Sequence, residues 1–199
     1  MLVVASPERA EHALAVGQLP CPGCGGVLRA FGHARTRTVR GLGDQRLTVI
    51  PRRARCAGCH ASHVLLPTAL SVRRADSTAA IGAALLAHAT DGDGHRAIAA
   101  RMNRPASTVR RWLRAVRGGH AEWLYQAGVA KAVRLDRELL AGATYVGMFK
   151  STLWRALNIL AGAARCARER YGVTDPPWSL INLYACGRLL APPGRPKPS

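Results

Sequence analysis

RCAGCH, residues 55–60, decides the fold, because its C-x-x-C-H spacing fits three chemistries that demand three different architectures. The same letters serve as the attachment signature of a c-type haem, as half of a four-ligand zinc site, or as a redox dithiol. Upstream, CPGCGG at residues 21–26 repeats the cysteine spacing, with 31 residues between the two pairs. Each C-x-x-C can wrap a tight turn that presents two thiolates to one ion, and Gly23, Gly25 and Gly58 suit the sharp backbone. Cys21, Cys24, Cys56 and Cys59 are therefore expected to fill the coordination sphere of one structural Zn(II), a closed site with no open catalytic position.

The physical need for an ion is plain. A segment this rich in Arg and Gly has little apolar surface to bury, whereas a structural zinc contributes roughly 10 to 16 kcal/mol of apparent binding energy to folding. His60 and His63 offer a rival set with Cys56 and Cys59, but that set leaves Cys21 and Cys24 without a role. His63 reads instead as a packing or hydrogen-bonding residue beside VLLP. The haem reading fails for want of an export signal, and the dithiol reading for want of a strand–helix unit around either pair. Cys166 and Cys186 stand alone in apolar surroundings and read as small buried hydrophobes.

The 199 residues carry 29 basic against 11 acidic side chains, a formal charge of +18, which points to a polyanionic partner such as nucleic acid. A G+C-rich coding sequence also yields arginine, alanine and glycine in excess, so charge alone locates nothing. Dividing the chain at residues 60 and 120 gives +6 in every part, and location has to come from motifs. The opening MLVVASPERAEHALAVG lacks a basic n-region and meets acids at Glu8 and Glu11, unlike a secretory signal. No run reaches the roughly 20 apolar residues of a membrane span. The expected setting is the cytoplasm, in association with the nucleoid, with no membrane partner.

SPERAEHALAVG predicts a short helix with Ser6 as N-cap, Pro7 in the first turn and Gly17 as the stop. VLRAF, RTRTVR and RLTVIPRRAR read as strands separated by FGH and GLGD turns. SHVLLP then leads into alanine-rich text, with helices expected near residues 77–88, 95–102, 105–116, 120–141 and 151–170. WSLINLYACGRLL fits helix or strand, and PPGRPKPS reads as a solvated tail. The predicted fold is mainly α with a small N-terminal β zinc ribbon. Its expected parts are a lead-in helix and ribbon at 1–67, a three-helix helix-turn-helix domain at 71–118, a C-terminal helical region at 119–190 and a disordered tail at 191–199.

The helix-turn-helix expectation rests on GHRAIAARMNRPASTVRRWLRAVRGG, residues 94–119. Ile98 and Met102 share one face of the first helix, and Val109, Trp112, Leu113 and Val116 form the inner face of the second. Asn103 tolerates the left-handed turn and Pro105 suits a helix start. A recognition helix places its early residues at base edges and flanking cations on phosphates. Ser107, Thr108, Arg110 and Arg111 are the candidates for the major groove, with Arg104, Arg114 and Arg117 for the backbone. Arg52, Arg53 and Arg55 of the ribbon are further phosphate candidates.

CPGCGG…RRARCAGCHASHVLLP followed by GHRAIAARMNRPASTVRRWL is similar to the front end of insertion-sequence transposases. More closely, it resembles a family of small bacterial proteins of unassigned function that join a ribbon to a helix-turn-helix. The resemblance spans Leu19 to Arg117, and PWSLINLYACGRLL resembles the way those proteins close. It implies DNA binding and no established reaction. Transposition needs three carboxylates holding two Mg(II) ions. After Arg117 the chain offers Glu122, Asp136, Glu138, Glu169 and Asp175, of which Asp136 and Glu138 share the helical text LDRELL. The expectation is a non-enzymatic, zinc-stabilised binder of double-stranded DNA, regulator-like or transposase-derived. The alternative is an adaptor whose ribbon and C-terminal helices bind a protein partner. Whether the chain forms a homodimer is open.

Overall fold

The structure, a computed structural model, describes residues 2–139 and 150–190. Its N-terminal part is a small β-region: β1 (Leu2–Val4), α1 (Pro7–Ala15), β2 (Leu28–His33), β3 (Arg37–Arg40), β4 (Arg46–Val49), β5 (Arg52–Cys56) and β6 (Ser62–Pro67). The first sheet runs β1-β6-β5-β2, with β1 parallel to β6 and the other pairs antiparallel. β3 and β4 form a separate hairpin. Ser6 caps α1 as expected, its hydroxyl oxygen accepting from the Arg9 N–H at 3.3 Å. The amphipathic side of α1 then places Ala10 and Leu14 against Val4, Leu28, Ala54, Cys56 and Leu65.

β1 and β6 were not predicted as strands. SHVLLP carries its apolar residues in a continuous run without alternation, because Leu65 and Leu66 are buried on opposite sides of the sheet, Leu65 with α1 and Leu66 with Val39 and Leu70. β1 has three residues and exists only through its distant partner, with Val3 opposite Leu66.

Among the described residues the helices that follow are α2 (Thr78–Asp91), α3 (His95–Arg101), α4 (Ala106–Ala115), α5 (Gly119–Leu135), α6 (Thr152–Tyr171) and α7 (Pro177–Tyr184). Their ends obey local chemistry. Ser77 and Ser151 cap α2 and α6 through their hydroxyls, and Gly92, at φ 73°, stops α2 in a left-handed turn that costs glycine nothing. The ambiguous WSLINLY is helical, started by Pro177 and burying Leu180 and Ile181. α5 stops at Leu135, and the last two residues of the helix expected over 120–141 lie outside the described residues, as does the expected tail 191–199. No described helix is long and apolar enough to cross a membrane.

One apolar cluster joins Ile81, Leu85, Ile98, Val109 and Trp112 to Leu124, Leu157, Leu160, Ile181 and Leu189. The division expected at residues 118 and 119 therefore falls inside a single core, because the inner face of α4 packs into the same cluster as α5 and α6. Gly82 lets the Trp178 ring lie directly on α2, and Gly128 does the same for Ile159 of α6 on α5. Asn182, fully buried on α7, donates through its amide to the Thr68 and Leu70 carbonyls, at 2.9 Å each, and ties the helices to the end of β6. Cys166 is half-buried and Cys186 exposed, unlike the buried hydrophobes expected; Cys186 sits at φ 49° in the turn after α7.

His120 opens α5 as a buried polar residue. Its Nε2 N–H donates to the Leu189 carbonyl at 3.2 Å, its ring stacks on Trp123, and its Nδ1 is buried with no partner. Burial outweighs the Leu189 and Arg188 carbonyls and holds its pKa below the ordinary 6.5. The unfolded chain therefore binds more protons here, so stability is present above about pH 6.5 and declines as the pH falls through that value. His120→Gln is expected to flatten the fall of the melting temperature between pH 7 and 5. A slope equal to that of the unaltered protein would remove His120 as its source.

Candidate metal centre

The two cysteine pairs sit in matched turns. In the first, between α1 and β2, the Cys21 N–H donates to the Gly26 carbonyl at 2.7 Å and the Gly25 N–H to the Cys21 carbonyl at 2.8 Å. In the second, between β5 and β6, the Cys56 N–H donates to Ala61 at 2.9 Å and the His60 N–H to Cys56 at 3.2 Å. The residue after each second cysteine is left-handed, Gly25 at φ 73° and His60 at φ 58°. His60 thus occupies the place that glycine holds in the first turn, exposed and outside the sulfur cluster, and its carbonyl accepts from Arg55 Nε.

Pairing of β2 with β5 brings the turns together, with Leu28 opposite Cys56. The four Sγ atoms lie within 4.8 Å of one another, so the cluster could hold one metal ion. Cys21 is 3.7 Å from Cys59 and Cys24 is 3.4 Å from Cys56. A tetrahedron with arms of ~2.3 Å has edges of about 3.8 Å, so the sulfurs stand close to a coordinating arrangement. Cys21 and Cys56 are buried and Cys24 and Cys59 exposed. The cluster forms the edge of the β-region core rather than replacing that core.

His63, on β6 opposite Ala54, places Nε2 3.5 Å from Cys21 Sγ. Its expected hydrogen-bonding role is aimed at the cluster, a contact that its position beside VLLP did not disclose. The thiols differ in acidity. The Cys59 N–H aimed at its sulfur holds Cys56 down to about 6, and the Gly23 N–H lowers Cys21. The Ala61 N–H also pulls on Cys59, but the crowding of Cys24 and Cys56 outweighs it and pushes Cys59 up to about 11. Four thiolates at this spacing need a cation among them, which a bound divalent ion would supply.

A second polar cluster joins the hairpin to the helices. Asp76, in the segment before α2, accepts from Arg104 Nε at 2.9 Å on one carboxylate oxygen and from Arg40 Nη2 at 2.8 Å on the other. Arg104 Nη2 also donates to the Gly41 carbonyl at 2.6 Å, and its Nη1 to Met102 and Asn103. The Arg104 side chain is 6% exposed. Arg104 was expected at a phosphate backbone; here each of its guanidinium nitrogens is bonded within the protein, beside the buried Asp76 carboxylate.

The other residues singled out in α4 and just after it divide by exposure. Ser107, Arg110, Arg111, Arg114 and Arg117 are exposed and Thr108 is half-buried, while Val109, Trp112, Leu113 and Val116 are buried. The four residues between α3 and α4 turn through Asn103 at φ 50°. Arg52 is not available as predicted, since its Nε meets Glu11 on α1 at 2.8 Å.

All four cysteines and most of α4 lie within one further boundary. Residues 21–112 match a family model described as a domain of unknown function, DUF6431. DUF6431 thus begins at Cys21, ends at Trp112, and falls within the Leu19 to Arg117 span of the expected resemblance to a family of unassigned function. It takes in the Asp76–Arg104 contact as well. No curated protein and no solved structure matches the chain.

Proposed function

We propose that the chain is a zinc-stabilised, non-enzymatic protein that binds double-stranded DNA, regulator-like or transposase-derived, with α3 and α4 acting as a helix-turn-helix. The observation that carries this reading is the division of α4. Its inner face is buried, its outer face shows Ser107, Arg110, Arg111 and Arg114 with Arg117 exposed just beyond its end, and no acid occurs between Arg104 and Ala121. Cations that need no internal partner on an anchored helix suit phosphates and base edges. Arg104 drops out of the contact set and becomes the residue that fixes the α3–α4 turn against the hairpin. Four soft thiolates in a near-tetrahedral cluster favour Zn(II) among common ions.

The test is selection of bound duplex from a random pool, followed by a salt titration. Neutralising about six phosphates gives a slope of log K against log salt near −5. Arg110→Glu/Arg111→Glu is expected to abolish the sequence preference and lower affinity at least a hundredfold. An adaptor that uses its arginines for solubility alone would show no preferred sequence and no response to that change.

A further inference from the structure

We propose a second nucleic-acid-binding surface on the outer face of β2 and β5, where Arg29, Arg53 and Arg55 hold backbone phosphates and Phe31 positions two of the guanidiniums. The proposal rests on the DNA reading of α4 only for the identity of the polymer.

The inner face of this sheet is accounted for. Ala54 and Cys56 pack with Leu28 under α1, and Arg52, two residues before Ala54 on the same side, pairs with Glu11. The outer face has the opposite character. Arg29 stands directly opposite Arg55 in the ladder, and Arg53 lies two residues along on the same side. Like charges directly opposite destabilise a sheet, and an arrangement that keeps them calls for an anion. No carboxylate among the described residues pairs with any of the three.

Phe31, 42% exposed, lies beneath two of these cations. The Arg53 and Arg55 guanidinium carbons stand 5.3 and 5.4 Å from its ring centroid. An exposed ring between two arginines buries little apolar surface, but it holds both forks on one side of the sheet at a small cost in side-chain freedom. Composition alone does not create this face. Between Glu11 and Asp76 the chain has ten arginines and one acid, Asp44, and Asp44 lies in the β3–β4 turn, away from this ladder. Elsewhere arginines meet acids, as at Arg9–Asp175, Arg101–Asp93 and Arg104–Asp76. Guanidinium forks suit the paired oxygens of a phosphodiester.

The experiment measures the salt dependence of binding to a duplex and to a single strand of equal length, using the full metal-loaded chain. Arg29→Gln/Arg53→Gln/Arg55→Gln is expected to reduce the slope on both by about 2 to 3, at about 0.9 per phosphate on duplex, while metal content and sequence preference stay unchanged. Phe31→Leu should give part of that loss and Phe31→Tyr should restore it. An unchanged slope in the triple variant, beside an unaltered protein that binds, overturns this surface and leaves the α4 reading standing. No binding by the unaltered protein overturns both. A loss confined to the single strand and reproduced by Phe31→Leu alone identifies base stacking and overturns the phosphate assignment.

Discussion

Cys56→Ser is expected to abolish the proposed metal binding and to cost the β-region its fixed structure. Cys56 is both a sulfur of the cluster and a member of the core beneath α1, so the substitution removes a ligand and leaves a polar hydroxyl in a buried place. Structural zinc binding is worth roughly 10 to 16 kcal/mol in small domains, comparable with the whole stability of a folded protein. Metal analysis should find no retained ion, and amide exchange should show protection lost in β2, β5 and β6. Protection in α5 and α6 should persist, because their core contains none of the four cysteines. His60→Ala is the contrasting variant and should keep its ion. Retention of a full ion by Cys56→Ser would mean that the ligand set differs, and His63, 3.5 Å from Cys21, would be the next donor to remove.

The second large effect is expected at Asp76. Its side chain is 3% exposed and that of Arg104 is 6% exposed, so Asp76→Ala leaves a guanidinium buried without its counter-charge. Breaking such a pair from one side costs about 3 to 5 kcal/mol, whereas replacing both partners with apolar groups is often near neutral. Urea denaturation should therefore show a lowered midpoint for Asp76→Ala and substantial recovery in Asp76→Ala/Arg104→Met. If the single variant loses less than about 1 kcal/mol, the contact does not hold the hairpin to the helices. Arg40, 35% exposed, would then be free to leave as well.

Features legible in the sequence are those whose partners are near in the chain. The cysteine spacing, the Ser6 cap and the inner face of α4 are local features, readable because their partners lie within a few residues. What escaped reading is non-local. β1 is a strand only because β6, about sixty residues on, accepts it, and Arg104 turns inward only because Asp76, 28 residues earlier, is buried beside it. The letters RRADS give Asp76 the look of a loop acid, and nothing near Phe31 announces that Arg53 and Arg55 will cross its ring. Residues 71–118 and 119–190, expected as separate parts, contribute to one apolar cluster, since helices with complete local patterns can still pack together.

The Asn182 contact has a consequence for the order of events at the ribosome. The β-region and its four clustered cysteines are all synthesised by Pro67, yet the carbonyls of Thr68 and Leu70 receive their buried donor from a residue more than a hundred positions later. Until Asn182 emerges, water must satisfy those two oxygens, and the surface around them stays open while α2 to α6 are made. Closure of the molecule is thus a late event: the cysteine cluster can assemble early, and the final seal waits for α7.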